Sequence, residues 1–420
     1  MKALIKNVRI NDQNLCLIYH KCMSSKSLKP KIVVGMSGGI DSSAAIFLLQ
    51  KQGFQPIGLT LKLPTWQHTD NNLLGKNKKN NKDKKNTKKK KNNQNNLSDS
   101  DLINQPIKIA QSICKTLNVP HYTWDVKQGF IDIVVQYFIN ETKHQRTPNP
   151  CLICNRYFKL QKLLEWAKNH QINYVATGHY AQIKYNTRNR KYELWQSKDK
   201  KKDQSYYLAL LNQQQLKHLI FPLGNYYKES IYQLAQKQNW LIFQRIKESQ
   251  DFCFIKNKDL KDFLKTKLLL PSGPILDKND PKQQVLGQHH GLPLYTLGQR
   301  EGLGLANGPF YVCGFDFKNN ALIVTHNKRD LFKKEILISP YTFISGEKLK
   351  HSALAKIKLR SSQTKHLAKM IPLKKSKNIK SNQIIKLIFN KPVFCPTPGQ
   401  FAVWYQDNKC LGGGRILETN

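Results

Sequence analysis

The stretch Ile32–Ser43, IVVGMSGGIDSS, decides the fold of this chain. Its first residues, Ile32–Val34, are apolar and β-branched and predict a buried strand. The segment Ser42–Lys51 has the apolar pattern of a helix, and either Asp41 or Ser42 is predicted to be its N-cap. The sequence therefore predicts a strand that passes through a short turn into a helix, the repeating unit of an α/β sheet.

The turn contains two adjacent glycines, Gly38 and Gly39, which can adopt positive φ and leave backbone N–H groups uncovered. Uncovered amides at a helix N-terminus attract anions, and phosphate above all. The stretch has neither the Gly-Lys-Ser/Thr ending of a Walker A loop nor the Rossmann pattern G-x-G-x-x-G. Its pattern S-G-G-x-D-S instead resembles the PP-loop of ATP pyrophosphatases. The alternative is a glycine-rich turn that binds no ligand.

The composition of the chain indicates a polyanionic partner. Lys and Arg together number 69 against 27 Asp and Glu, a formal net charge of +42 over 420 residues. Part of this excess lies in Lys76–Lys91, within an Asn- and Lys-rich tract from about Asp70 to Asn96. The tract has too few apolar residues to fold, and we expect a disordered loop that interrupts the domain around it. The remainder of the chain is also basic.

The cysteines and the termini indicate a reducing compartment. Nine unevenly spaced cysteines in a chain of this length do not resemble the disulfide framework of a secreted protein. No apolar run is long enough to span a membrane, so we expect no membrane association. Residues 1–30 are mildly basic but lack a clear apolar core. We expect a cytoplasmic protein, and an organelle import role for the extension is the alternative.

The order of apolar segments divides the chain into four regions. Residues 1–30 form an N-terminal extension, and residues 31–254 alternate strand and helix patterns, which predicts a doubly wound parallel sheet. Residues 255–340 and 341–420 have the short strands and turns of two small β-rich domains, the last of them barrel-like. The segment FAVWYQDNKCLGGGRIL predicts a hairpin around Asp407 and Asn408.

Two cysteines in RTPNPCLICNRYFKL, Cys151 and Cys154, form a CxxC pair that is typical of zinc or redox sites. Structural zinc requires about four ligands, and no second CxxC or paired His motif supplies them. A reactive thiol is favoured because Arg156, Lys159 and a helix start are expected to lower a cysteine pKa. Cys253, in ESQDFCFI, has on its own the pattern of an ordinary half-buried cysteine.

Seven motifs resemble, in their order, those of the bacterial tRNA-specific 2-thiouridylase family: GMSGGIDS, TPNPCLICN, TGHYA, KDQSYYL, SQDFCF, LGQREGLG, and PGQFAVWY with CLGGGRI. The similarity runs from about Lys31 to the C-terminus and is broken by the Lys/Asn tract. By this resemblance the chain is identified as a member of the family, with a PP-loop domain of the adenine nucleotide α-hydrolase type followed by two small β-rich domains.

The resemblance implies roles for individual positions. The residues expected to bind ATP are Gly35, Met36, Ser37, Gly38, Gly39, Ile40, Asp41, Ser42, Leu61 and Gly178. The residues expected to meet the target base are Asn149, Pro150 and Cys151, and those expected to face tRNA are His179, Lys202, Asp203, Gln204, Lys358, Leu359 and Gln400. Catalysis is expected from Cys154 and Cys253. Leu61 stands where the family often has Met, Cys151 where some members have Asp, and Lys358–Leu359 where many have Arg-Tyr.

The resemblance also implies a reaction. Enzymes of this family use ATP to adenylate O2 of the wobble uridine, position 34 of tRNA, and then replace that oxygen with sulfur, releasing AMP and pyrophosphate. Mg²⁺ is expected beside the pyrophosphate, and Asp41 is the nearest carboxylate. Cys253 is expected to carry a persulfide. If Cys154 attacks it, hydrosulfide is released and a disulfide remains; direct attack of the persulfide on C2 is the alternative.

The target base must leave its stack, and Tyr180 or Tyr206 are candidates to receive it, although core positions are the commoner use of such aromatics. The expected partners are the anticodon stem-loop of tRNA and a sulfur donor, either a cysteine desulfurase or a sulfur-relay protein. We expect a monomer. The competing interpretations are another PP-loop tRNA thiolase, an amide-forming synthetase, and a non-catalytic RNA-binding protein that keeps the fold.

Overall fold

A computed structural model of the chain describes residues 29–66, 99–244, 252–255, 260–373 and 384–417. The N-terminal extension up to residue 28 and the predicted Lys/Asn loop from Asp70 to Asn96 lie outside the described residues. None of the helices in the described part of the chain has the length and apolar character that a bilayer span requires.

The described residues form strands and helices in alternation, then mainly strands. The strands are β1 (Lys31–Gly35), β2 (Gln55–Lys62), β3 (His121–Asp125), β4 (Val175–Thr177), β5 (Ala181–Asn186), β6 (Lys191–Gln196), β7 (Leu219–Ile220), β8 (Gly273–Asp277), β9 (Val285–His289), β10 (Tyr311–Asp316), β11 (Ala321–Thr325), β12 (Phe332–Phe343), β13 (Ala353–Lys358), β14 (His366–Leu373), β15 (Ile384–Phe394), β16 (Phe401–Gln406) and β17 (Lys409–Ile416). The helices are α1 (Ile40–Lys51), α2 (Asp99–Thr116), α3 (Lys127–Phe130), α4 (Gln136–Lys143), α5 (Pro150–Ile153), α6 (Leu160–Asn169), α7 (Gln213–Leu216), α8 (Lys228–Lys237) and α9 (Leu260–Lys267).

The first sheet has the strand order β3-β2-β1-β4-β7, and every pairing in it is parallel. In the central strand β1, Ile32 and Val34 pack in the core that contains α1, whereas Val33 packs in the core that contains α6. All three side chains are fully buried because successive residues of a strand face opposite sides and both sides are covered. The predicted doubly wound parallel sheet is confirmed.

Helix α1 begins earlier than the sequence predicts. It starts at Ile40, and its N-cap is Gly39, whose conformation is extended and which has no side chain to cap the helix. The prediction of Asp41 or Ser42 as the N-cap is therefore wrong, because both lie inside the first helical turn. Ser42 Oγ donates instead to the carbonyl of Gly39 at 2.9 Å.

Two helical segments are interrupted by π-helical turns, Ile131–Val135 between α3 and α4, and Cys154–Lys159 between α5 and α6. They pack on each other through Phe130 and Phe158, whose rings are 5.3 Å apart. A π turn inserts one extra residue into a helix and often lies at a functional site. Here one such turn begins at a predicted catalytic cysteine.

The β-rich half of the chain contains a four-stranded sheet, β10-β11-β8-β9, and an eight-stranded sheet, β12-β15-β14-β13-β16-β17-β6-β5. A further pairing of β12 with β17 closes the strands between them into a barrel. Strand β12 begins at Phe332, ahead of the predicted domain boundary after residue 340. The predicted hairpin is confirmed: β16 and β17 are joined at Asp407, with φ of 51°, and Asn408.

The barrel is joined directly to the half of the chain that contains the parallel sheet. Strand β6 pairs with β17 through Leu194–Cys410 and Trp195–Lys409, so the β5–β6 hairpin extends the barrel sheet. The core that contains Val33 of the parallel sheet also contains Phe401 and Val403 of the barrel. One continuous apolar core therefore fixes the barrel against the first sheet.

Candidate functional site

The turn after β1 has a preformed backbone. Gly38 has φ of +74°, and a Cβ on it would lie 2.4 Å from the carbonyl oxygen of Pro106 in α2. Ser42 Oγ accepts the backbone N–H of Ser37 at 3.2 Å, which closes the turn from inside. Glycine is required at position 38 both for its left-handed conformation and for the close approach of α2.

The first turn of α1 is open above Gly39. An α-helix leaves its first amides without intrahelical partners, and no side chain caps those of α1. The nearest atom to a Cβ built on Gly39 is Ser37 Oγ at 3.5 Å, and Ser37 itself is exposed. This cradle fits a phosphate group. Met36 and Ile40, two of the predicted ATP-binding positions, are buried and pack in the core that contains α1.

The carboxylate of Asp41 is held by two side chains from distant parts of the sequence. Lys228 Nζ lies 2.8 Å from both carboxylate oxygens, and the Tyr180 hydroxyl donates to Oδ1 at 2.8 Å. The Lys228 side chain is 7% exposed and that of Asp41 is 33% exposed. The side chain of Asp41 therefore links α1 to α8, and no local sequence pattern indicates its partner Lys228.

Gly178 and Leu61 lie at the same edge of the sheet as the turn. A Cβ on Gly178 would be 2.7 Å from the carbonyl carbon of Asp41 and 2.8 Å from the amide nitrogen of Ser42, so the chain after β4 lies against the start of α1. Leu61 is half-buried near the end of β2. Both predicted positions are close to the carboxyl ends of parallel strands, where α/β sheets bind ligands.

The cysteines of the predicted site lie on two segments. Cys151 is exposed in α5, and Cys154, half-buried, is the first residue of the π turn Cys154–Lys159. Cys253 is exposed and follows Phe252, whose ring lies 5.0 Å from that of Phe138 in α4. Phe252 and Cys154 both pack against the same apolar cluster. The segment that carries Cys253 is therefore anchored beside the π turn.

The three thiols share one electrostatic environment. Cys253 has an exposed edge, but the protein atoms packed around its thiol remove water from it, and this desolvation is the main cause that raises its pKa, to about 12. The neighbouring Cys154 and Cys151 raise the pKa of Cys253 further. Desolvation also raises the pKa of Cys154, to about 11, and the pKa of Cys151, and the positive charge of Lys159 opposes both shifts. The prediction that the pKa of Cys154 is lowered is wrong, because desolvation exceeds the effect of the nearby cation.

The side chain of Lys159 connects the thiols to the end of β4. Its Nζ lies 3.1 Å from His179 Nε2, and His179 Nδ1 lies 2.7 Å from Thr177 Oγ1. Burial, and then Lys159, hold the pKa of His179 well below its ordinary range, so the imidazole is neutral at pH 7. His179 is 8% exposed. Its ring is thus part of the site interior rather than of a surface that faces tRNA.

The other positions predicted to face tRNA differ in exposure. Lys202 is exposed, whereas Asp203 accepts from the amides of Ser197 and Ser205 and organises its own loop. Gln204 Oε1 accepts the backbone N–H of Tyr180 at 2.9 Å.

In the barrel, Lys358 Nζ donates to the carbonyl of Ser361 at 2.8 Å. Leu359 is 2% exposed and its side chain lies in the barrel core, so the tRNA contact predicted at this position is not one that the side chain can make. Gln400, at the start of β16, contacts the loop before α5, as described below.

The two aromatics proposed to receive a base are core residues. Tyr206 is fully buried and its hydroxyl donates to the carbonyl of Phe401 at 2.8 Å. Tyr180 is 3% exposed and bound to Asp41. Neither ring is accessible for stacking. Within the described residues no three His, Cys, Asp or Glu side chains are grouped as a metal site would require.

A parallel sheet whose central strand leads into an open helix start, with the pattern S-G-G-x-D-S at the turn, is typical of PP-loop nucleotide-binding enzymes. Three family descriptions match along the chain: "tRNA methyl transferase HUP domain" at residues 30–257, "tRNA methyl transferase PRC-barrel domain" at 261–326 and "Aminomethyltransferase beta-barrel domain" at 333–416. The chain is 35% identical over 394 residues to the tRNA-specific 2-thiouridylase MnmA of Natranaerobius thermophilus, covering 93% of this chain and 98% of that protein. It is 38% identical over 387 residues to tRNA-specific 2-thiouridylase MnmA 1 of Caldanaerobacter subterraneus, covering 92% and 97%.

The chain therefore belongs to the tRNA-specific 2-thiouridylase family. Among solved structures, NMN synthetase from Francisella tularensis aligns with 56% of this chain and 73% of its own, at 15% identity and a TM-score of 0.30. The sequence-based prediction of a PP-loop enzyme that forms 2-thiouridine in tRNA is confirmed at the level of family, fold and enzyme class.

Proposed function

We propose that this chain uses ATP to adenylate O2 of the wobble uridine of tRNA and then transfers sulfur from a persulfide on Cys253 to C2. One observation carries the proposal: the segment after β4 links the phosphate cradle to the thiols. Gly178 lies against Asp41 and Ser42, and the next residue, His179, contacts Lys159 of the π turn that begins at Cys154. Two consecutive residues, Gly178 and His179, therefore connect the cradle with the segment that carries Cys154.

The nucleotide is bound by the residues that form the cradle. The amides of the first turn of α1 and the open space above Gly39 suit the β- and γ-phosphates, which leave as pyrophosphate. A uracil oxygen is a poor leaving group, and adenylation lets it depart as AMP. The ion pair between Asp41 and Lys228 keeps α1 in register with α8 while charge accumulates at the turn.

Mg²⁺ does not fit Asp41 as a ligand. Both carboxylate oxygens accept bonds from the Lys228 ammonium, and Oδ1 also accepts one from Tyr180. A cation bound that closely opposes a second, divalent cation at the same oxygens. We therefore assign no step to a protein-held magnesium ion. Mg²⁺ that accompanies ATP is commonly bound through phosphate oxygens and water.

Sulfur transfer uses the two cysteines in different roles. Cys253 holds the sulfane sulfur as Cys–S–SH. When the Cys154 thiolate attacks the inner sulfur, an S–S bond forms between the two residues and the terminal sulfur leaves as hydrosulfide. Hydrosulfide attacks C2 and AMP departs, and a thiol reductant later supplies two electrons to reopen the disulfide. In the alternative order the terminal persulfide sulfur attacks C2 directly.

Lys159 gives the thiol pocket its positive charge. It lowers the pKa of both Cys151 and Cys154 and is itself held by a neutral His179. Because burial raises all three thiol pKa values, this ammonium is the group that stabilises the anionic sulfur formed during transfer. Lys159 therefore has the same electrostatic role whether hydrosulfide or the terminal persulfide sulfur attacks C2.

The expected partners are a tRNA and a protein that donates sulfur. The substrate is the anticodon stem-loop of tRNA, which a chain of net charge +42 suits. The sulfur donor is a cysteine desulfurase or a sulfur-relay protein that loads the exposed Cys253. The enzyme acts as a monomer in the cytoplasm.

The test follows labelled sulfur through single-cysteine variants. Cys253→Ser should release pyrophosphate with tRNA and accept no labelled persulfide. Cys154→Ser should load label on Cys253 and stop, and full thiolation by this variant would favour direct attack. Cys151→Ser is the matched control and should keep most activity, since other family members have Asp there. Label that accumulates on Cys154 in Cys253→Ser would reverse the assignment.

A further inference from the structure

A buried carboxylate joins helix α4 to the last strand of the barrel. The Glu141 side chain is 6% exposed and accepts two bonds from Arg146, from Nε at 2.7 Å and from Nη2 at 2.8 Å. It also accepts a bond from Arg415 Nη1 of β17 at 2.8 Å. A buried carboxylate bound by two guanidinium groups has a fixed position, because the loss of either partner leaves charge uncompensated.

The same region of the barrel holds the loop that leads into α5. The amide of Thr147 donates to the carbonyl of Pro398 at 2.8 Å, and Gln400 Nε2 donates to the carbonyls of Thr147 at 3.2 Å and Pro148 at 3.4 Å. Asn149 Nδ2 lies 3.5 Å from Gln400 Oε1. Every one of these partners belongs to the segment between β15 and β17.

The loop depends on these contacts because of its composition. Pro148 and Pro150 have no N–H to donate, so Asn149 has the only backbone N–H between Thr147 and Cys151, and the loop can form few turn hydrogen bonds of its own. Gly399, with φ of +88°, lets the barrel approach closely: a Cβ there would lie 2.8 Å from Cβ of Arg146. The barrel therefore supplies restraints that the loop lacks on its own.

We propose that Glu141, Arg415 and Gln400 position the loop Thr147–Cys151 for the target base, so that the barrel sets the geometry of adenylation. Arg415 and Glu141 act through Arg146 at the start of the loop, and Gln400 acts through the carbonyls within it. Gln400 is thus a positioning residue for the loop, and its role is not limited to a contact with tRNA. This inference rests on the proposed function.

The inference separates two half-reactions. The loop restraint affects the placement of the uridine, whereas persulfide loading requires only Cys253, which lies on a segment anchored to Phe138 and Trp66. Misplacement by about 1 Å can lower a rate by about two orders of magnitude. We expect loss of the Glu141–Arg415 contact to slow adenylation and to leave loading unchanged.

The experiment compares Arg415→Gln with Arg415→Lys and with Arg329→Gln, an exposed arginine of the central domain that serves as matched control. At saturating tRNA, Arg415→Gln should reduce the rate of pyrophosphate release at least tenfold, with a change in KM for tRNA below threefold. Arg415→Lys should recover part of this rate, because a single nitrogen of Arg415 contacts Glu141. The control variant should match wild type.

Hydrogen exchange gives a readout that does not depend on activity. The amides of Arg146, Thr147 and Asn149 should lose protection in Arg415→Gln, while those of strand β1 should not. Unchanged protection of the loop, or an equal loss of persulfide loading and pyrophosphate release, would overturn the inference. If the proposed function itself is wrong, the wild-type chain will show no tRNA-dependent release of pyrophosphate. Measuring the wild-type chain first therefore distinguishes the two failures.

Discussion

Replacing Lys228 by methionine tests whether the ion pair with Asp41 stabilises the phosphate cradle. The substitution keeps the apolar stem, whose surroundings are buried, and removes the ammonium that lies 2.8 Å from both carboxylate oxygens. Breaking a fully buried ion pair costs about 3–5 kcal/mol. Water can reach Asp41, whose side chain is 33% exposed, so we expect a smaller loss of about 2–3 kcal/mol.

The assay is urea unfolding of Lys228→Met, with Lys237→Met on the exposed face of the same helix as control. The control should change the free energy of unfolding by less than about 0.5 kcal/mol. Asp41→Asn combined with Lys228→Met should cost less than the sum of the two single changes by more than about 1 kcal/mol. Additive effects, or a loss below about 0.5 kcal/mol in Lys228→Met, would refute the reasoning.

Three further predictions concern the cradle, the thiols and the inserted tract. Gly39→Ala should keep the unfolding temperature, because its Cβ would point into open space, and should weaken ATP binding measured by calorimetry, because that space is the proposed phosphate site. Gly38→Ala should lower the free energy of unfolding by about 2 kcal/mol or more, because its Cβ would clash with Pro106 and its φ is left-handed. The rate of alkylation of Cys154 should rise about tenfold per pH unit from pH 7 to 9 without a plateau, because its pKa is raised to about 11. Lys159→Met should slow alkylation, because it removes the charge that stabilises the thiolate. A plateau in the rate near pH 8 would contradict this prediction. Deletion of Asn71–Asn96 should leave pyrophosphate release intact and reduce tRNA affinity in filter binding, and a loss of cooperative unfolding would show that the tract is structural.

The local features of the fold could be predicted because neighbouring residues determine them. The apolar, β-branched run Ile32–Val34 favours a buried strand, and the pair of glycines that follows allows the left-handed conformation that Gly38 adopts. The hairpin at Asp407 follows from the same kind of local signal. Prediction at this level needs propensity and periodicity alone.

The parts that could not be predicted depend on contacts between distant residues. Lys228 is 187 positions away from Asp41, and Arg415 is 274 away from Glu141, so no local pattern links them. The raised pKa of Cys154 results from burial in the folded site, which a sequence does not report. The positively charged residues close to Cys154 in the sequence, Arg156 and Lys159, favour a lowered pKa instead.

The same limit explains the misplaced N-cap and the residues assigned to the tRNA surface. Ser42 has the chemistry of a cap, yet the helix starts before it because Gly39 is already extended. Leu359 and His179 occupy positions that the family resemblance assigns to tRNA, and their side chains are buried here. A resemblance transfers positions, whereas exposure depends on packing in this particular chain.

The most direct test of the central claim is mass spectrometry of the nucleosides of unmodified tRNA after incubation with the purified chain, ATP and a persulfide donor. We expect the wild-type chain to form 2-thiouridine at position 34 when ATP is present and not when ATP is omitted. We expect Cys253→Ser to form none. Formation of 2-thiouridine by Cys253→Ser, or thiolation at a different position by the wild-type chain, would contradict the assignment of function and of the sulfur-carrying residue.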